Sequence, residues 1–287
     1  RIVRGPGGNL LKIVEEKDCN PQEKLIEEIN SGIYLFQAGK VFAALSGLQS
    51  ANAQGEYYLT DVLEILADQG QIVQVMLTDS SEDIYGVNNR VQLAQVEKIL
   101  RRRKNESLML EGVTIIDPDS TFIDYTVTIG ADTVIFPFTI ITGDTRIGSH
   151  CEIGPSTYIN DTIIGNETTV EQSRIKEAVI DNLCTIGPFA YLRPGANLAD
   201  KVKVGDFVEI KNSNIGVNSK IPHLSYVGDA EVGESVNIGA GTITCNYDGK
   251  NKYHTVLEDG VFIGSNTNLV APVTIGKGSI TGAGSTI

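Results

Sequence analysis

The sequence has no tryptophan, only three histidines and four cysteines, and 23 basic residues against 36 acidic ones in a total of 287. Each shortage excludes something. The net charge of -13 argues against a broad nucleic-acid surface, which needs a basic excess. A few local Lys or Arg still suffice to hold one phosphate. No apolar run approaches the ~18 residues of a membrane-spanning helix, and no signal-peptide pattern is visible. Cys19, Cys151, Cys184 and Cys245 lie far apart and form no CxxC pair. That removes a zinc knuckle and a thioredoxin-type motif, and scattered thiols fit a reducing cytoplasm. His150, His223 and His254 are separated by 73 and 31 residues. A three-histidine zinc centre usually keeps two ligands close in sequence, so none is expected. Proline is also sparse, at nine, whereas glycine numbers 30, and the glycines are periodic.

The chain begins Arg1-Ile2-Val3 without Met and ends at Thr286-Ile287 in mid-pattern. It reads as a piece of a longer protein.

Residues 1–86 read as mixed α/β. Ile2-Val3 and Leu10 to Val14 flank Gly5-Pro6-Gly7-Gly8, a hairpin-type turn. Asn20-Pro21-Gln22-Glu23 predicts a helix start, with Asn as N-cap, Pro first and Glu third, and a helix running to about Ile29. Gly32 to Phe36 and Ile72 to Leu77 predict short apolar strands. Val41 to Leu48 and Leu59 to Ala67 predict helices, with Gly70 as a stop. Such alternation suggests a parallel or mixed sheet, though the piece is small for a complete doubly wound domain.

Leu93, Val96 and Leu100 follow helical spacing, predicting a connecting helix over 89–104. It would end in Arg101-Arg102-Arg103-Lys104. The run is read as a solvated C-terminal helix end, where cations complement the helix dipole, in preference to an anion site.

From about residue 112 the pattern changes. Ile129, Ile135, Ile141, Ile147, Ile153 and Ile159 recur every six residues. After phase slips the series continues through Ile164, Val170, Ile186, Leu192, Leu198, Val204, Ile210, Ile215, Ile221, Val227, Val232 and Ile238. It ends with Ile263, Leu269 and Ile275. A period of six fits neither the helix nor a simple amphipathic strand. It fits the hexapeptide β-helix, in which each hexad forms one flat side of a prism and the aliphatic residue points inward. Three hexads make a coil, and the repeat region predicts about ten coils, roughly 45–50 Å of stack at ~4.8 Å per strand. The phase holds to Ile243, is lost over 244–262, and returns at Ile263. That insert, rich in Lys, Tyr and Asn, predicts a functional loop on a rigid scaffold.

Few residues offer chemistry. His223 lies in Ile221-Pro222-His223-Leu224-Ser225-Tyr226, in phase with the repeat. A neutral imidazole is a natural general base for an amine proton, and a surface His is the equal alternative on sequence alone. Arg193, Lys211 and Lys252 are a set of cations able to clamp a phosphate, or simply solvated. Gly239-Ala240-Gly241 is better explained as a β-helix corner than as a phosphate loop. Glu15 reads as an ordinary surface acid.

Several stretches together resemble a known family. They are Ile13-Val14-Glu15-Glu16-Lys17-Asp18, Glu28-Ile29-Asn30, Asn52 to Asp61 (NAQGEYYLTD), Gly86-Val87-Asn88-Asn89-Arg90, Leu192-Arg193-Pro194-Gly195, His223-Leu224-Ser225-Tyr226 and Asn237 to Lys252 (NIGAGTITCNYDGKNK). Nearly the whole chain is covered, in order, and the last run is highly specific. The family is the bifunctional bacterial N-acetylglucosamine-1-phosphate uridylyltransferase / glucosamine-1-phosphate acetyltransferase. The resemblance implies an α/β remnant of a nucleotidyltransferase domain at 1–86, a connecting helix and linker at 87–111, and a left-handed parallel β-helix acetyltransferase domain at 112–287. It implies a cytoplasmic homotrimer with acetyl transfer sites between neighbouring β-helices.

The resemblance also implies roles. His223 would be the general base that takes the amine proton of glucosamine 1-phosphate as nitrogen attacks acetyl-CoA. Arg193, Lys211 and Lys252 would bind the sugar phosphate, with Lys252 from the adjacent subunit, and Tyr226 and Asn237 the sugar. Ala240, Asn246, Tyr247, Ser265 and Ala283 would contact acetyl-CoA. Glu15, Asn30 and Asn88 would contact UDP-N-acetylglucosamine, and Asn88 would ligate Mg²⁺ with an Asp expected upstream of Arg1. Uridylyl transfer from UTP to N-acetylglucosamine 1-phosphate is therefore expected of the intact parent and not of this piece. Two departures stand out. Pro222 precedes the His where many members have Gly, and the family's C-terminal segment, which adds coenzyme contacts and covers the last coil, is expected beyond Ile287. The competing readings are a nucleotide-sugar pyrophosphorylase relative with a purely structural or regulatory β-helix, and a hexapeptide scaffold without chemistry. The loop and His223 speak against both.

Overall fold

The computed structural model describes all residues, Arg1–Ile287. The chain divides into two compact units, Arg1–Val96 and Glu97–Ile287.

In the first unit, β1 (Ile2–Arg4) and β2 (Leu10–Ile13) form the expected antiparallel hairpin. Helices α1 (Ala38–Leu45) and α2 (Asp61–Asp68) follow. Ile2, Leu10, Ile13 and Leu63 make one small core, and Ala44, Val62 and Leu66 another. Three expectations fail. The Asn20 cap does form: its Oδ1 accepts from Gln22 and Glu23 N–H at 2.9 and 2.8 Å, and Glu23 Oε2 accepts from Asn20 N–H at 2.9 Å. Only a 3-10 turn, Glu23–Leu25, grows from it. Leu25 and Ile29 stay 81% and 53% exposed, so no apolar face pays for a longer helix. Gly32 to Phe36 and Ile72 to Leu77 form no strand. Tyr34, Phe36, Val73 and Val75 pack partly buried on the hairpin core, but neither segment finds a ladder partner. The predicted parallel or mixed sheet is therefore a two-stranded antiparallel one.

Helix α3 (Arg90–Leu110) runs past the predicted end. Leu108 is buried among the first β-helix residues, and the buried Asn105 donates from Nδ2 to the carbonyls of Pro118 and Thr121. The cationic run is thus mid-helix, and the dipole argument does not apply to it. Arg101 lies over the Phe122 ring at 4.1 Å, and Lys104 Nζ donates to Tyr125 O and Val127 O at 3.1 and 2.7 Å.

The rest is a parallel β-helix. Three nine-stranded sheets each take every third strand, giving nine coils and, through the bridges of Ile280 and Thr286, the beginning of a tenth. The inward ladder Ile141, Ile159, Ile175, Leu192, Ile210 and Val227 stacks in register on one side, every member fully buried. Parallel strands buried on their inner face need such a run of aliphatic residues. One phase reading is corrected. Ile243 is 37% exposed and Thr244 is the inward residue, at 2%. The ejected loop is also shorter than 244–262. Thr255–Leu257 is already a strand, with Leu257 in the core, so the excursion is 246–254.

Candidate acyl-transfer site

The site is assembled by coil stacking. Asp206 O accepts from Leu224 N–H, His223 O from Gly241 N–H, Ala240 O from Asn266 N–H and Ser265 O from Gly284 N–H. Asp206, His223, Ala240, Ser265 and Ala283 therefore occupy one corner position on five successive coils. The residues that follow them turn the corner at positive φ, Phe207 at 55°, Leu224 at 52° and Asn266 at 56°. Above the imidazole the column carries only small side chains.

His223 Nδ1 contacts Asp206 Oδ1. The pair sits at the end of matched strands, Lys203–Asp206 and Lys220–His223, with Asp206 opposite His223 in the ladder. The hydrogen bond from the imidazole holds the Asp206 carboxyl below its usual range. With Nδ1 engaged by a carboxylate, Nε2 is left with the lone pair, the arrangement a base needs. Gly205 makes the approach possible. A Cβ there would stand 1.8 Å from Pro222 O.

Around the corner from His223 lies Tyr226. It stands between Glu209 and Ile243 in its ladder and folds back over Gly228, where a Cβ would stand 2.3 Å from its Oη. Arg193 Nη1 donates to Glu209 Oε1 at 2.7 Å. That bond raises the guanidinium pKa, and the nearby Tyr191 and Tyr226 add to it. Lys211 is paired in register with Gly228. Lys252 faces Lys211 of the same chain, and this contact pushes its ammonium below the usual lysine range, with Asp229 pulling the other way. Within one chain, Lys252 thus already lies beside the coil that carries Lys211.

The loop is internally tied. Asp248 Oδ1 accepts from Lys250 and Asn251 N–H at 2.7 Å each, and Tyr253 Oη donates to Asp248 Oδ2 at 3.0 Å. Asn246 is buried and donates to Asp229. Tyr247 is exposed and donates from Oη to Gly249 O at 2.7 Å, so its hydroxyl serves the loop. Asn237 is half-buried, three residues before Ala240, opposite Phe262 in the ladder.

The structure thus brings Arg193, Lys211, Tyr226 and Lys252 into one cluster and sets His223 below Ala240, Ser265 and Ala283. Sequence reading passed over three acids, Asp206, Glu209 and Asp229. Their partners lie 17, 16 and 17 residues away, which is one coil, and adding one coil length to each motif residue is the signal that finds them. The shallow groove of about 340 Å³ lined by Val179, Asn197, Asn214 and Glu231 lies on a different sheet and holds none of these groups.

In the first unit, Asn30 Nδ2 donates to Tyr34 Oη at 2.6 Å. The Tyr34 hydroxyl is raised by burial, with the Asn30 bond opposing and the charge of Glu15 adding to the shift. Asn88 is exposed and its N–H donates to Gln92 Oε1 at 2.7 Å. No group of three or more His, Cys, Asp or Glu is gathered to hold a metal. Mg²⁺ is held mainly through carboxylates and phosphates, so the Asn88 amide would hold it only together with such partners. No helix is long and apolar enough to cross a membrane.

Residues 126–161 and 254–287 match the bacterial transferase hexapeptide family (six repeats). The chain is 65% identical over 287 residues to the Bifunctional protein GlmU of Syntrophomonas wolfei subsp. wolfei, covering 100% of this chain and 64% of that protein. It is 56% identical over 287 residues to that of Carboxydothermus hydrogenoformans, again covering 100% and 64%. Among solved structures, the UDP-N-acetylglucosamine acyltransferase from Campylobacter jejuni is 17% identical, with a TM-score of 0.31, covering 55% of this chain and 63% of that one. The chain thus spans just under two thirds of the length of the curated relatives it matches. With identity at this level along its entire length, and with its hexapeptide repeats wound into a left-handed parallel β-helix, the chain is similar throughout to the matching part of the bifunctional GlmU proteins.

Proposed function

We propose that the β-helix transfers the acetyl group of acetyl-CoA to the amine of glucosamine 1-phosphate. The observation that carries this reading is the His223–Asp206 pair, set at the foot of a column of small residues and beside a cluster of three cations. A protonated amine is not a nucleophile, so a base is chemically required. His223 Nε2 takes a proton from the amine as its nitrogen attacks the thioester carbonyl. Asp206, on Nδ1, is a positioning residue that fixes the tautomer and steadies the imidazolium. Collapse of the tetrahedral intermediate breaks the C–S bond, and the imidazolium returns its proton to the departing coenzyme sulfur. Arg193, Lys211 and Lys252 hold the sugar phosphate, Tyr226 and Asn237 the sugar. Ala240, Ser265 and Ala283 give the extended coenzyme a corner without bulky side chains, and Asn246 and Tyr247 contact it from the loop.

Residues 1–86 are then the C-terminal part of a uridylyltransferase domain, 87–111 the connector and 112–287 the acetyltransferase. In the full-length protein the first domain transfers uridylyl from UTP to N-acetylglucosamine 1-phosphate with Mg²⁺. Its product, UDP-N-acetylglucosamine, feeds peptidoglycan and lipopolysaccharide. Glu15, Asn30 and Asn88 contribute to that site, and the protein works as a cytoplasmic homotrimer. A purely structural β-helix has no use for the His223–Asp206 pair.

The test is coenzyme A release from acetyl-CoA with glucosamine 1-phosphate as acceptor, comparing this chain with His223→Ala. Acceptor-dependent release that the substitution abolishes is expected. Equal release by both removes His223 as the base.

A further inference from the structure

Asp229 has no part in the chemistry above, yet it is the most fully engaged acid beside it. It is 5% exposed. Its Oδ1 accepts from Asn212 Nδ2 at 2.6 Å and its Oδ2 from Asn246 Nδ2 at 2.5 Å. Its N–H donates to Lys211 O at 3.0 Å, and its carbonyl accepts from Thr255 N–H at 3.2 Å. The four bonds reach the coil below, the first residue of the loop and the strand that follows it. Other corner acids and amides do something simpler. Asn166, Asn182 and Asp200 each take a backbone N–H from the coil below. Asp229 instead spends both carboxylate oxygens on side chains.

The charges around it are unequal. Burial raises the Asp229 carboxyl, but the bonds from Asn212 and Asn246 and the charges of Lys211 and Lys252 outweigh burial and hold it below its usual range. Lys211 lies close enough to Lys252 to push its ammonium below the usual lysine range. Two neighbouring ammonium groups repel, and a bound phosphate relieves that only once it has arrived.

We propose that Asp229 is the positioning residue of the phosphate site: it clamps both ends of the 246–254 loop to the coil and supplies the buried negative charge that keeps Lys211 and Lys252 side by side before any anion binds. Such preorganisation spares the ligand the work of ordering a loop and gathering like charges. Because the clamp acts through Asn246, one carboxylate ties the coenzyme side of the site to the sugar-phosphate side. The identity of the ligands rests on the proposed function, whereas the clamp itself does not.

The experiment uses the intact chain with 15N-labelled lysine side chains, assigned by Lys252→Met. NMR follows the Lys252 titration and the exchange of the Tyr253 amide, which donates to Asn246 O. Asp229→Asn replaces one acceptor oxygen by a donor. The loop is expected to leave the coil. Lys252 then returns upward towards an ordinary lysine, and Tyr253 exchange quickens about tenfold or more, as suits losing a hydrogen bond to a charged group. The KM for glucosamine 1-phosphate rises by a similar factor. If the acetyl-transfer reading is wrong there is no kinetic signal, but both NMR readouts remain. Lys252 titration and Tyr253 exchange unchanged from the wild type overturn the proposal. Should Asp229→Asn not fold, Asn246→Ala cuts only the loop's side of the clamp and is judged by the same two readouts.

Discussion

Gly205→Ala tests how the Asp206–His223 pair is built. The new Cβ would meet Pro222 O at 1.8 Å, Pro222 C at 2.7 Å and Pro222 Cα at 3.1 Å. These are backbone atoms, so no side chain can swing aside. Ordinary contact begins at 3.4 Å, so the Pro222 carbonyl must retreat by about 1.6 Å. His223 is the next residue and must follow. A hydrogen bond stretched by more than 1 Å is lost on geometric grounds, so the imidazole is released from Asp206. Overpacking of this kind costs about 1–3 kcal/mol of stability. A misplacement of about 1 Å at a reacting group costs roughly 10²-fold in rate. The expectation is therefore a lower melting temperature together with a roughly 10²-fold fall in kcat for acetyl transfer. Gly216→Ala is the control. Its Cβ would stand 2.4 Å from Gly233 O, also a backbone clash, but at a corner away from His223. It should lower stability by a similar amount and spare kcat. Equal kinetic losses in the two variants would refute the reasoning, because the damage would then be general.

Three further outcomes follow from particular contacts. Asp206 is held below its usual range by its bond to His223, so the stability it adds is present above its unfolded value and is lost as pH falls through the folded one. In His223→Ala, 13C NMR of the Asp206 carboxyl should show its titration shifted upward, and an unmoved titration would deny the bond. Ile159→Ala empties a fully buried position on the inward ladder and should cost about 2–5 kcal/mol in denaturant unfolding, with a smaller loss meaning that neighbouring coils close the gap. Cys184 is pushed up to about 11 by burial and is shielded within the coils, so native-state alkylation at pH 8 followed by mass mapping should leave it unlabelled until the chain unfolds.

How much of this could be read in advance depended on the distance over which each residue acts. The β-helix was legible because its inward ladder repeats every hexad, and a local pattern suffices to reveal it. It misled only where an aliphatic residue served as the marker. Thr244, not Ile243, points inward, because the corner can satisfy a buried hydroxyl: Thr244 Oγ1 donates to Gly228 O at 3.1 Å. Helix signals failed in both directions for the same physical cause. The Asn20–Glu23 cap is complete, yet Leu25 has nothing to pack against, and α3 runs on to Leu110 because Leu108 and Asn105 have found the first coil. Neither outcome is written in local propensity, which tertiary contact overrides. The candidate site divides along the same line. His223, Arg193 and Lys211 were singled out by residue type and motif. The acids that orient and neutralise them lie one coil away, where in sequence each looks like any other charge on a solvated face. A β-helix makes such partners predictable once its coil length is known, since whatever lies 16 to 18 residues from a functional side chain at the same corner is its nearest neighbour in space. Asp206 below His223, Glu209 above Arg193, and Asp229 between Asn212 and Asn246 all obey that rule.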